Sequence, residues 1–118
     1  MIYQEVFKLS MEFSGRIWAI VKSWRSFDQE TIGKQLVRAA DSISANIKEG
    51  AGRYSFKERN QFYIYARGSL TESCCWLEKA YSRNLIKDED YHFLHMVNRR
   101  ILFQLNRIIR QTRSQNHS

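Results

Sequence analysis

The chain has 118 residues, no proline, five glycines, two cysteines and nineteen Lys and Arg against twelve Asp and Glu, a formal net charge of +7. That length makes one domain with a modest core, and the lack of proline leaves few places where a helix must stop, so an all-α fold is expected. Two cysteines exclude a disulfide-stapled scaffold, no run approaches the 18 or so apolar residues that span a bilayer, and the cationic excess favours an anionic partner.

The first segment, MIYQEVFKLSMEF, carries Glu5 and Glu12 and lacks a positively charged start before an apolar run, so a secretory leader is not expected. Val6, Leu9, Phe13, Ile17, Ile20, Val21 and Trp24 recur at spacings of three and four, which predicts a helix over about residues 4–25. Trp18, about 100° from Ile17, widens the apolar arc. It reads as part of a broad core face, with a subunit contact as the alternative.

Ser26 followed by Gln29 has the form of a capping box, and Asp28 and Glu30 suit the positive end of a helix dipole. A second helix is expected over about residues 27–49. Ile32, Leu36, Ala39, Ala40, Ile43 and Ile47 make its apolar face, while Gln35, Arg38, Ser42, Asn46 and Glu49 make a face of small or hydrogen-bonding residues. Gly50, Ala51 and Gly52 are expected to end it, a glycine taking the left-handed conformation.

Ser55 with Glu58 forms a second capping box, and a third helix is expected over about residues 55–83. Its apolar positions are Phe62, Tyr63, Ala66, Leu70, Trp76, Leu77 and Ala80. Gly68, in a slim midpoint with Arg67 and Ser69, suggests that another backbone passes close by. The second and third helices are expected to be antiparallel, crossing near Ala39 to Ser42 and Gly68 to Ser69. Cys74 and Cys75 are adjacent and point about 100° apart on a helix, so they do not pair with each other, and a reducing cytoplasm fits. At least one of them is expected to pack.

Asp88, Glu89 and Asp90 open a fourth helix, expected over about residues 88–113, with Leu94, Val97, Ile101, Leu105 and Ile108 as its apolar line. Arg99, Phe103, Asn106, Arg110 and Arg113 fall within about 80° of arc on the opposite side, a basic solvated stripe. Residues 114–118 are expected to be a disordered tail. Four such helices joined by short loops describe an antiparallel up-down-up-down four-helix bundle.

The segments QLVRAADSISANIKEG and YARGSLTE, with Arg53, Ser55 and Phe62 between them, resemble the four-helix-bundle proteins encoded in intervening sequences of bacterial 23S ribosomal RNA genes. That group is similar to the accessory variability proteins of diversity-generating retroelements, which form pentameric barrels, bind nucleic acid and associate with a reverse transcriptase. The resemblance implies a homo-oligomeric, basic helical bundle and no established reaction. Two positions depart from the pattern: Lys87, where relatives often carry a serine or threonine cap, and Asp28, where a proline is common.

Beside the resemblance, Gln35, Ser42, Asn46 and Glu49 are expected to hydrogen-bond with Arg67, Ser69 and Glu72 in a network that fixes helix register. The competing reading makes Glu49 and Glu72 a carboxylate pair for acid–base work, but no histidine falls within the double motif, no nucleophile is flanked by a base, and no phosphate-binding glycine loop follows a strand. His92, His95 and Asp88 have metal-ligand spacing but read as solvated, so no metal or cofactor is expected. Arg53, Lys57 and Arg59, with Tyr54 and Phe56, offer cations and stacking surfaces, or else cover the end of the bundle. The sequence therefore supports a non-catalytic module that binds RNA or DNA through phosphate contacts beside a nucleic-acid-processing enzyme. The alternative is a protein-interaction scaffold.

Overall fold

The computed structural model describes residues 2–116, and among them the fold is all-α, with four long helices and no strand. The first, α1 (Ile2–Lys22), buries Val6, Phe13, Ile17 and Val21 at the predicted spacing. Trp18 does not join them. It is 58% exposed, because the arc that contacts other helices stops at Ile17 and Val21. Trp24 lies just past the helix, where its Nε1–H donates to the Leu85 carbonyl at 2.9 Å.

The second helix, α2 (26–51), is continuous but not uniform. A turn over Ser26–Asp28 leads into a π-helical turn over Gln29–Gly33, and regular helix follows over Lys34–Ala51. The capping box expected at Ser26 is absent, since Ser26 lies inside the helix and Arg25 is the N-cap, with no side-chain cap bond. Gln29 instead turns back on α1: its Nε2–H donates to the Val21 and Lys22 carbonyls at 3.1 and 3.0 Å. These are the last two carbonyls of α1, of which Val21 also accepts from the Trp24 N–H at 3.0 Å, so the glutamine closes the preceding helix rather than opening its own.

Gly33 explains why the π turn sits there. A Cβ at this position would lie 2.7 Å from Val21 Cγ1 and 3.0 Å from the Asp28 carbonyl, so only a residue without one lets α2 approach the end of α1 this closely. At the other end, α2 does not stop by a left-handed glycine. Gly50 is helical and buried, with Arg59, Phe62 and Tyr63 each about 3.0 Å from where its Cβ would be. Gly52 follows in a right-handed conformation and donates to the last carbonyls of the helix.

The third helix, α3 (Phe56–Ser82), starts as predicted: Ser55 Oγ accepts from the Glu58 backbone N–H at 3.0 Å and donates to the Glu58 carboxylate at 3.4 Å. Its end is a Schellman turn, with Leu85 N–H bonded to the Ala80 carbonyl and Asn84 N–H to the Tyr81 carbonyl. Asn84 supplies the required left-handed residue at φ 60°. The fourth helix, α4 (Asp88–Asn116), runs three residues past its expected end. Residues 117 and 118 of the expected tail lie outside the described residues.

Helix α1 packs against α2 and α4, and α3 packs against the same two, around one elongated core in a molecule 51 Å long. Leu94, Val97, Ile101, Leu105 and Ile108 all point into that core from α4. Polar pairs tie the helices together at definite heights. Asn60 Nδ2–H donates to the Ile109 carbonyl at 3.1 Å, Asn98 Nδ2–H to the Leu70 carbonyl at 3.3 Å, and Arg16 pairs with Asp90 at 3.7 Å. No described helix is long and apolar enough to cross a membrane.

Candidate nucleic-acid interface

The core stripe of α4 fixes what its opposite side presents. With Ile101, Leu105 and Ile108 turned inward, Arg99, Phe103, Arg110 and Arg113 are all exposed. From Arg99 to Arg113 the stripe is about 21 Å long at 1.5 Å per residue. None of these three arginines is in an ion pair with another described residue; the pairs present are Arg16 with Asp90 and Arg53 with Glu49 and Glu58. Asn106, expected in the solvated stripe, is instead half-buried and accepts from Arg67 Nη1–H at 2.9 Å.

The other predicted basic group is the turn before α3. The Asn60 bond to Ile109 brings this corner to the same end of the molecule as Arg110 and Arg113. Its cations are not equivalent. Arg53 pairs with Glu49 at 3.1 Å and lies 4.6 Å from the Phe62 ring centre, and Arg59 donates from Nε to the Arg53 carbonyl at 2.8 Å with Phe56 beneath it. Both are half-buried and build the corner, whereas Lys57 is exposed and Tyr54 is 99% exposed. Mutual pairing removes much of Arg53 and Arg59 from a phosphate and leaves Lys57 the most accessible of the three.

The polar face of α2 is joined to α3 at one point among the described residues, a hydrogen bond between the Ser42 and Ser69 hydroxyls. Four of the remaining five residues of the expected network, all but Gln35, bond elsewhere. Asn46 donates to the Ser42 carbonyl on its own helix, Glu49 takes Arg53, Arg67 goes to α4, and Glu72 accepts from Trp76 Nε1–H at 3.1 Å. Gln35 and Glu72 do share a groove of about 470 Å³ with Arg38, Asp41, Ser42 and Ala45. The register at mid-helix thus rests on small side chains rather than on a long polar ladder. Gly68 plays no part in it, since it is exposed with nothing within 4 Å of a Cβ built there.

Neither cysteine is fully packed: Cys74 is half-buried and Cys75 exposed. Burial, then the adjacent Glu78 carboxylate that accepts its hydrogen bond at 3.6 Å, pushes the Cys74 thiol above its ordinary pKa. Asp88 is engaged by Tyr81, whose hydroxyl donates to it at 2.8 Å, and that bond raises the tyrosine. Among the described residues no group of three or more His, Cys, Asp or Glu could hold a metal. The chain pattern missed Arg100, His92 and His95 as members of the basic surface. All three line a groove of about 420 Å³ on α4 with Met96, Arg99 and Phe103. The 100° rule held the signal, since it puts His92 about 20° from Arg99.

Taken together these features define a basic, all-α protein of four long helices among its described residues, with an exposed arginine stripe along the last of them. The chain belongs to the 23S rRNA-intervening sequence protein family, whose model matches residues 3–107. It is also similar to a crystal structure of a protein of unknown function from the S23 ribosomal protein family of Bacteroides thetaiotaomicron. The two are 28% identical with a TM-score of 0.86, over 93% of this chain and 99% of that one. Comparison with curated proteins gives no match.

Proposed function

We propose that this protein is a non-catalytic, oligomeric helical bundle that binds RNA or DNA through phosphate contacts, in the cytoplasm, as an accessory to a nucleic-acid-processing enzyme such as a reverse transcriptase. The observation that carries the reading is the α4 stripe of exposed Arg99, Arg110 and Arg113, in no ion pair among the described residues and continued by Lys57 at one end. A row of cations spaced along about 21 Å meets several phosphates at once, and each one neutralised releases counterions. The non-catalytic part is supported by Glu49 and Glu72 each being engaged by the residue four positions further along the chain, Arg53 and Trp76.

The proposed topology is up-down-up-down. Its support is Val21 beside Gly33, Gly50 beside Phe62, Tyr81 bonded to Asp88 with Asn60 bonded to Ile109, and Arg16 paired with Asp90, in each of which a late residue of one helix meets an early residue of its neighbour. Self-association, into the five-membered ring that the resemblance implies, is supported by Trp18. This side chain walls an apolar groove of about 330 Å³ with Val21, Gly33 and Val37. A Trp18→Glu variant is expected to sediment as a smaller species than the wild type while keeping its helical circular dichroism. An unchanged sedimentation coefficient would remove this face from the subunit contact.

The nucleic-acid reading is tested by titrating structured RNA, duplex DNA and single strands across a range of salt. Replacing Arg99, Arg110 and Arg113 together with glutamine should weaken binding and flatten its salt slope. Capture of a specific protein partner, with no nucleic-acid binding at low salt, would instead favour the scaffold reading, for which the exposed Trp18 groove is the supporting feature.

A further inference from the structure

The outer face of α4 holds more than arginines. Its groove of about 420 Å³ is lined by His92, His95, Met96, Arg99, Arg100 and Phe103. His92 lies about 20° from Arg99 around the helix and seven residues before it, so it extends the arginine stripe by two turns. His95 is half-buried and stacked 6.1 Å from Tyr91, which is itself stacked on Tyr81 at 4.0 Å. Phe103 is 61% exposed, and the Arg107 guanidinium lies 5.9 Å from its ring centre.

We propose that this groove is a single-strand site, in which unpaired bases stack on Phe103 while phosphates meet Arg99 and Arg100. The inference rests on the nucleic-acid reading above and narrows its ligand to single strands. A duplex keeps its bases stacked inside and offers an outer helix face only phosphates. An exposed phenyl ring among cations is used by a base that is free to leave its stack.

The experiment is fluorescence anisotropy with a labelled oligothymidine of about 15 nucleotides and a duplex of equal length, at matched ionic strength. Phe103→Ala should weaken the single strand at least fivefold and the duplex less than twofold. A Phe103→Ala loss equal for both ligands would overturn the single-strand site while the arginine stripe stands. No binding of either ligand by wild type at low salt would remove the nucleic-acid reading itself. Phe103→Ala losing binding together with a smaller sedimenting species would assign the groove to a contact between copies, and that too would overturn the proposal.

Discussion

Gly50 and Gly68 sit in adjacent helices with opposite surroundings. A Cβ at Gly50 would press on the Arg59 carbonyl, Phe62 Cβ and Tyr63 Cε1, each at 3.0 Å, and two of those three atoms belong to or adjoin the backbone. Gly50→Ala is therefore expected to cost about 1 to 3 kcal/mol, the range for overpacking. Gly68 has open space and a helical conformation, so Gly68→Ala should gain about 0.5 to 1 kcal/mol by restricting the unfolded chain. Paired thermal melts read both signs, and destabilisation by Gly68→Ala would mean that another subunit's backbone lies against α3. The sequence marked Gly68 as the close approach and Gly50 as a helix stop. It could not distinguish them, because a missing side chain says that room was needed or that none was, and only the neighbour decides. Asp41 gives a pH effect at the same scale. Burial raises its carboxyl above the ordinary value, so the folded state holds the proton more tightly, and stability falls as pH rises from the unfolded value through the folded one. Asp41→Asn should melt slightly higher than wild type at pH 7 and at the same temperature at pH 3. The gain is small, because the side chain remains largely exposed.

At the scale of the element, the helix periods were legible and the joints were read unevenly. Alternation at three and four residues is a property of one helix, which is why Phe13, Leu36, Leu70, Leu94 and Ile101 all fell inside as expected. Ser55 capped α3 because its box is a local structure. The same pattern at Ser26 failed, since Gln29 bonds back to the last two carbonyls of α1, an arrangement set by where another helix ends. The π turn at Gln29–Gly33 follows from that docking and has no signature within its own five residues. Gln29→Ala should cost about 1 kcal/mol through two lost hydrogen bonds, measured by urea unfolding. Ser55→Ala should cost about as much through the lost cap. A null effect of Gln29→Ala would show that water replaces the glutamine at no loss. The polar face of α2 was read as a network because small polar residues at helical spacing must bond to something. Asn46 bonds within its own helix, Glu49 bonds to Arg53 just past it, and of this face Ser42 alone reaches Ser69.

For the whole molecule, the net charge of +7 gives a positive field, but where that field is exposed depends on packing. Arg53 and Arg59 are taken up by Glu49, Phe62, Phe56 and the Arg53 carbonyl, while Arg99, Arg110 and Arg113 are left to solvent by the inward turn of Ile101, Leu105 and Ile108. The stripe on α4 was legible because it depends only on the phase of one helix. The sharing of the corner arginines was not, because aromatic and carboxylate partners are chosen in three dimensions. The measurement that bears most directly on the account is the salt dependence of nucleic-acid binding by wild type and by the Arg99, Arg110, Arg113 triple glutamine variant. The account predicts a linear fall of log K with log salt for wild type and a slope shallower by about 2 to 3 for the variant, at about 0.7 to 0.9 per arginine. An unchanged slope in a folded variant, or no binding by wild type even at low salt, would contradict it.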